Sequence, residues 1–255
     1  MNETANDKYI LQSVTHTLRL VDTMAKGREK TVQELAEMTG MGKSSVFRML
    51  ATLEAAGYVN KTPDAKYSLS MKLAYIGDCV LQQNDIVHCG HPFLEELMNR
   101  SGETAHLTVL TDGIHAEFID KVVSRSSIRM DSHLGMRRQA HFLSGGKAIL
   151  AHLPEKAIRE YMETADFTPM TEYSIKTQKE LSAELAAIRE RGYSFDMEES
   201  EYGLSCVGAP IFNAAHQVVA AVSVSGPTGR MEKNMDTNIL LVMETATLIS
   251  EAMRK

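Results

Sequence analysis

The sequence predicts an α/β chain of the α+β type in two domains, on three observations. Residues 31–59 read as two short helices around a glycine-rich turn, with a β-hairpin directly after them. Beyond residue 85, helical and β-prone runs alternate, the pattern of a sheet with helices packed on it. The length of 255 residues exceeds what the first unit needs and lets the second bury a full core. The expected domains are a winged helix-turn-helix over 1–71, a linker helix over 72–85 and a larger domain over 86–255.

In the first unit, residues 1–8 are polar and expected to be loose. Leu11, Val14, Leu18, Val21 and Ala25 repeat at helical spacing and are read as the packing face of an opening helix. A helix over 32–38 turns Leu35 and Ala36 inward, and Thr39-Gly40-Met41-Gly42 breaks it with glycines suited to a sharp turn. A second helix over 43–56 carries Val46, Met49, Leu50 and Leu53 on one apolar stripe and is closed by Gly57. The hairpin strands fall at 58–61 and 66–69 around Thr62-Pro63-Asp64-Ala65, a turn built on Pro and Asp. Over 72–85, Leu73, Ile76, Val80 and Gln83 share a face, fitting a linker helix or an ordinary helix of the larger domain.

The larger domain should open with a helix over 86–100, with Phe93, Leu94, Leu97 and Met98 inward. Strands follow over 103–110 and 114–123 around Thr111-Asp112-Gly113, then helices over 144–153, 155–164 and 177–191. Three strands, 193–197, 205–212 and 217–225, precede a long terminal helix over 232–254.

A helix that hides one side and offers Ser44, Arg48 and Ala51 on the other, flanked by Phe47 and Thr52, suits the DNA major groove. Lys43, Ser44, Ser45, Phe47 and Arg48 are the candidate contacts on this helix, with Lys61 and Lys66 on the wing. The plain alternative is a small helical bundle used for protein contacts. A net charge of −6 argues against nucleic acid until its distribution is read. Residues 1–72 hold ten Lys or Arg against eight Asp or Glu, and the remainder seventeen against twenty-five. The first half is mildly basic, and a patch matters more than a total because phosphate attraction is screened within roughly 8 Å. One copy should therefore bind DNA weakly, and two copies would double the contacts.

Other classes find little support. There is no run of eighteen apolar residues, and MNETANDKYI lacks the basic start and apolar block of a secretory signal, so neither a membrane partner nor export is expected. Cys79, Cys89 and Cys206 form no disulfide framework and fit a reducing, cytoplasmic setting. Ser144-Gly145-Gly146-Lys147-Ala148 exposes backbone N–H groups before a helix, but His141 and Ala148 spoil a nucleotide-binding loop. His88-Cys89-Gly90-His91 lacks a second ligand pair for zinc, and Pro92 reads as a helix start. Gly203-Leu204-Ser205-Cys206-Val207-Gly208 is one residue too long for a hydrolase elbow. No enzyme, metal or cofactor is expected. The acidic run Glu198-Glu199-Ser200-Glu201 reads as a solvated loop, and the sixteen methionines as core filler or an adaptable pocket.

ELAEMTGMGKSSVFRMLATLEAAGYV and KYSLSMKLAYIG resemble the DNA-binding half of the IclR family of bacterial transcription regulators. SGETAHLTVL, IDKVVSRSSIRMDSHLGMR, SGGKAILAHLP, IRERGYSFDMEESEYGLSCVGAPIFN and VVAAVSVSGPTGR resemble its effector domain, in the right order along 13–250. The resemblance implies a GAF-like or profilin-like effector-binding domain, a double-stranded DNA operator, a small organic-acid effector and a homodimer or homotetramer. It implies that Ser144 and Gly145 form one wall of the effector pocket and Asp196, Leu204 and Cys206 the other, with Met130 an apolar position on a preceding strand. Ser223 and Ser225, two apart on one strand, face the same side and would join them. An Asp beside a carboxylate ligand repels it unless protonated or bonded to a ligand hydroxyl, which points to a hydroxylated or keto acid. Two departures lie near this pocket. Arg138-Gln139-Ala140-His141 replaces the usual Pro before Leu-His, and Leu143-Ser144 replaces the usual Thr-Ala. The runner-up is a metabolite-binding protein whose winged helix serves protein contacts.

Overall fold

Thr31 starts the helix-turn-helix with a reciprocal cap. Its hydroxyl accepts from the Glu34 amide, and the Glu34 carboxylate accepts from the Thr31 amide. In the computed structural model, which describes residues 9–82 and 85–254, this capped helix α2 (Val32–Thr39) follows α1 (Gln12–Ala25) and precedes α3 (Lys43–Ala55). Gly40 closes α2 in the left-handed region at φ 70°, which glycine adopts without strain. β1 (Val59–Lys61) and β2 (Tyr67–Leu69) pair antiparallel as the wing, and Lys30 adds an isolated bridge to Tyr67. Leu20, Met24, Leu35, Val46, Leu50, Leu53, Val59 and Tyr67 form one buried cluster, each aliphatic side chain worth about 1.5–3 kcal/mol of burial.

The opening helix corrects one expectation. Leu20 and Met24 are its buried residues, whereas Leu11, Val14 and Leu18 are 67%, 50% and 59% exposed and Ala25 is exposed. α1 is apolar on two faces, and spacing alone does not tell which one meets α2. α4 (Met71–Gln82) carries exposed Met71, Tyr75 and Val80. Residues 1–8, read as loose, and the Gln83 end of the linker helix lie outside the described residues. The chain divides into two compact units, Met1–Val80 and Leu81–Lys255.

The second unit is built on a six-stranded antiparallel sheet in the order β5-β4-β3-β8-β7-β6. Its strands are β3 (Thr104–Thr111), β4 (His115–Val122), β5 (Arg137–Gln139), β6 (Ser194–Met197), β7 (Leu204–Phe212) and β8 (Val218–Pro227). Asp112 and Gly113, at φ 50° and 74°, make the tight β3–β4 turn. Ala105, Leu107, Val207, Ala209, Val222 and Val224 cover one face of the sheet and pack on α5 (Asp85–Ser101) and α10 (Met235–Ala252). At the β4 end, Phe118, Leu150, Tyr161, Leu181 and Leu185 gather β4, α6 (Ser144–Leu150), α7 (Glu155–Thr164) and α8 (Gln178–Arg191) into a second cluster. Thr177 and Glu180 cap α8 reciprocally, and left-handed Gly192 closes it.

Four element readings change. Pro92 lies inside α5, where the carbonyl it leaves free belongs to exposed His88. β5 and the 3-10 turn Ala140–Phe142 escaped detection because Arg-Arg-Gln has no apolar alternation. The terminal helix is two: α9 (Thr228–Lys233) and α10, parted at Asn234, with φ −112°. Met130 stands in the loop before β5, partly buried against the second cluster, and not on a strand.

Candidate functional site

The first candidate surface is the outer face of α3. Val46, Leu50 and Leu53 are buried, and Lys43, Ser44, Ser45, Phe47, Arg48, Ala51 and Thr52 are exposed. Phe47 is 51% exposed, more than a core aromatic permits and suited to a partner surface. Lys43 extends its ammonium to Gln33 on α2 at 3.1 Å. Arg48 and Ser45 line a groove of about 500 Å³ with Ser13, Val14, Thr17 and Leu18 of α1. On the wing, Lys61 and Lys66 are exposed, and the Lys61 ammonium sits over the Tyr67 ring. Lys72, read only as the start of a linker, donates to the Ala56 carbonyl at 2.8 Å and lies over the Tyr58 ring. A cation at a helix C-terminus is favourable, and here it ties the start of α4 to the C-terminal end of α3.

The second surface is buried. β-pairing sets Asp196 beside Cys206, Cys206 beside Ser225, and Ser225 beside Thr104. The next row aligns Ser194, Gly208, Ser223 and His106. Leu204 shares the Cys206 side, because side chains two apart point the same way. Thus the strand-borne candidates Asp196, Leu204, Cys206, Ser223 and Ser225 occupy one sheet face, each less than a tenth exposed. The start of α6 lies against that face. A Cβ on Gly208 would stand 2.9 Å from the Ser144 carbonyl carbon, and one on Gly145 would stand 2.8 Å from Thr108 Oγ1. Ser194 Oγ donates to the Ser144 carbonyl at 2.6 Å. Glycine at 146 is demanded most strongly, since its Cβ would fall 2.1 Å from the Ala140 oxygen.

Two acids and a lysine flank this face. Asp196 Oδ1 accepts from the Glu199 and Ser200 amides at 2.8 and 3.3 Å, and Oδ2 from Ser200 Oγ at 2.6 Å. Burial nevertheless pushes its carboxyl up. Glu199 corrects the reading of a solvated acidic loop. It is buried and paired with Lys147, itself 1% exposed. Burial pushes Glu199 up to about 7 against the downward pull of the Lys147 ammonium, and its Oε2 has no hydrogen-bond partner. Burial also pushes the Cys206 thiol up, so it is an unreactive thiol at neutral pH. His141, from the departure at 138–141, is buried. Its Nδ1 lies 2.6 Å from the Tyr161 hydroxyl, and burial lowers it to about 4.

Lys147, Glu199, His106 and Thr108 were missed from the sequence. A signal existed for the last two. Thr104, His106 and Thr108 alternate with Ala105, Leu107 and Val109, the alternation of a two-faced strand, and α6 covers the polar face. Elsewhere, His91 pairs with Asp120 at 2.8 Å, and among the described residues no three His, Cys, Asp or Glu side chains gather to hold a metal. Among the described residues no helix is long and apolar enough to cross a membrane.

A helix-turn-helix with a wing, carried on a chain with a separate α+β unit enclosing a polar face, defines the class of a DNA-binding transcription regulator. Comparison with known proteins agrees. The family profile described as "Bacterial transcriptional regulator IclR C-terminal" matches residues 79–251, and that of the IclR helix-turn-helix domain matches 13–63. The chain is 33% identical to the HTH-type transcriptional regulator XynR of Escherichia coli over 88% of this chain and 89% of that protein. It is 32% identical to the transcriptional repressor IclR of the same species, over 87% and 82%. The crystal structure of the Thermotoga maritima IclR superposes with a TM-score of 0.84 at 35% identity, covering 95% of this chain and 99% of that one. The chain belongs to the IclR family of transcription regulators; these relatives are regulators and not enzymes.

Proposed function

We propose that this regulator is a sequence-specific DNA-binding protein of the cytoplasm whose operator affinity is set by a small organic acid held on the polar face of the second unit. The observation that carries the reading is that face itself. A sheet surface lined by Asp196, Cys206, Ser223, Ser225, His106 and Thr108 is closed from solvent, and three of its neighbouring polar atoms, His106 Nδ1, Thr108 Oγ1 and Glu199 Oε2, have no partner. Buried polar atoms left unpaired are costly and mark places where a ligand completes the bonding. Ser144 and Gly145 close one side of the face, and Met130 belongs to the loop nearby. Because Asp196 and Glu199 are both acidic, an anionic ligand fits best when one of them holds a proton or bonds a ligand hydroxyl, which favours hydroxylated or keto acids.

Arg48 reads base edges, with Ser44, Ser45 and Phe47 presented beside it; Lys43, Lys61 and Lys66 contact phosphate. The protein acts as a dimer, or as a tetramer of two dimers, on a partly palindromic operator. The exposed apolar stripe of Val14 and Leu18 on α1, with Leu11 just before it, and the exposed Met71, Tyr75 and Val80 of α4 support an interface between copies at the DNA heads. Ligand binding must favour one arrangement of the paired heads, or no switch results. Calorimetry against hydroxy, keto and aromatic acids, with Cys206→Ala alongside the wild type, tests the pocket. Wild-type affinity in that variant places the ligand elsewhere. The genes flanking its own supply the pathway to test first.

A further inference from the structure

The segment between β4 and β5 closes the polar face through one histidine. His106 is fully buried, stacked on Phe118 at 4.3 Å between ring centroids, and its Nε2 lies 2.7 Å from Ser132 Oγ. Ser132, 3% exposed, is the anchor of this segment, and Lys121 donates to its carbonyl. Farther back, Arg230 donates to the Ile128 carbonyl at 3.0 Å while holding Glu103, and Ser124 Oγ donates to the Gly102 carbonyl at 2.6 Å. Between these ties, Ser127, Ile128, Arg129, Asp131, His133 and Leu134 are exposed. The segment is held at Ser124, Ile128 and Ser132, rests Met130 and Met136 partly buried against the second cluster, and ends on backbone hydrogen bonds linking Gly135 and Met136 to Phe118.

The other nitrogen of His106, Nδ1, is buried without a partner, and so is Thr108 Oγ1 two residues along the same face. Register places His106 beside Ser223, in the middle of the face. Burial holds the imidazole neutral, lowering it to about 3, so the ring offers one donor and one acceptor and no charge. The nearby ammonium of Lys121 is already engaged on the Ser132 carbonyl. The face therefore keeps two unpaired buried polar groups, an imidazole nitrogen and a hydroxyl, and an uncharged oxygen satisfies either without the cost of burying a charge.

We propose that His106 and Thr108 bind the hydroxyl or keto oxygen of the effector, and that residues 124–136 form its lid, latched by the Ser132–His106 hydrogen bond. The inference rests on the reading of this face as the effector site and adds its specificity and its way in. The carboxylate lies toward the Ser223–Ser225 side, and the neutral oxygen reaches His106. Entry requires the latch to open, so one side chain both reads the ligand and reports its arrival to the lid.

Two measurements on the full chain test it. Amide hydrogen exchange needs no ligand: Ser132→Ala should speed exchange across 124–136 by roughly tenfold, one hydrogen bond's worth, and leave β3 and β8 as in the wild type. Unchanged exchange in that segment overturns the latch and the proposal with it. Scanning fluorimetry with lactate, pyruvate and propionate then varies the oxygen at a fixed carbon count. Lactate or pyruvate should stabilise the wild type more than propionate, and Thr108→Val and His106→Asn should lose about tenfold or more in affinity for the oxygenated acid with propionate unaffected. No stabilisation by any of the three overturns the assigned ligand class. If Cys206→Ala and Ser225→Ala weaken binding while Thr108→Val and His106→Asn discriminate as the wild type does, the face is the site and this inference fails. If Cys206→Ala and Ser225→Ala also bind as the wild type does, the underlying site reading fails too.

Discussion

The two units place their candidate site residues in opposite surroundings. In the DNA-binding unit, Arg48, Phe47, Ser44 and Lys61 stand in solvent on a scaffold whose core is a hydrophobic cluster with, among the described residues, one buried polar side chain, Thr39. In the second unit, Asp196, Cys206, Ser223 and His106 are buried in the fold, and Lys147 and Glu199 are sealed in beside them. The contrast teaches where stability and function are separable. A side chain on the outer face of α3 can be removed with little cost to folding. Every polar group around the buried face of the second unit is also part of the packing.

Lys147→Met should give the largest effect, because it strands Glu199 in the interior, at about 3–5 kcal/mol. The sign with pH follows from Glu199. A carboxyl raised from 4.5 to about 7 contributes stability below pH 4.5 that is lost as pH rises through 7. The variant's deficit in denaturant unfolding should therefore be larger at pH 8 than at pH 5.5. A deficit independent of pH would mean Glu199 is solvated. Gly146→Ala comes next, at about 3 kcal/mol, since its Cβ would overlap the Ala140 carbonyl and the backbone itself must move. Gly42→Ala in the DNA-binding unit meets nothing within 4 Å and should change stability by less than about 1 kcal/mol. Equal costs for the two glycines would erase the comparison.

Arg48→Ala should weaken operator binding by about 1–3 kcal/mol at unchanged melting temperature. Lys61→Ala and Lys66→Ala should each lower the salt slope by roughly one unit and weaken binding to all sequences alike. The second unit should also respond to acid, on a scale comparable with the Arg48→Ala effect. His106 and His141, lowered to about 3 and about 4, are neutral when folded. Their contribution is present above pH 6.5 and is lost as pH falls toward those values, at about 1.4 kcal/mol per histidine per pH unit. Unfolding followed by exchange in β3 between pH 7 and 5 should show the loss, and His141→Gln should reduce it.

The same contrast explains what the sequence disclosed. The helix-turn-helix was legible because its signals are local: a stripe at Val46, Leu50 and Leu53, a glycine turn, a Pro-Asp hairpin. Which face of α1 is buried was not, because both faces are apolar and only α2 decides between them. In the second unit, most helices and strands announced themselves, and the resemblance to the family pointed to Asp196, Cys206 and Ser144. Lys147 and Glu199 lie 52 residues apart, and no local pattern pairs them. His106 and Thr108 carry a polar alternation that usually means solvent, and only the placement of α6 and the 124–136 segment turns it inward.

The separation of the two surfaces can be measured in one titration. Fluorescence anisotropy of a duplex from the region upstream of the regulator's own gene would be followed for the wild type, Arg48→Ala and Cys206→Ala, with and without the acid that stabilises the wild type. The account predicts that Arg48→Ala loses about fivefold or more in operator affinity. It predicts that Cys206→Ala binds as the wild type does without acid and no longer responds to it. An Arg48→Ala protein that binds its operator normally, or a Cys206→Ala protein with a full response to the acid, would contradict it.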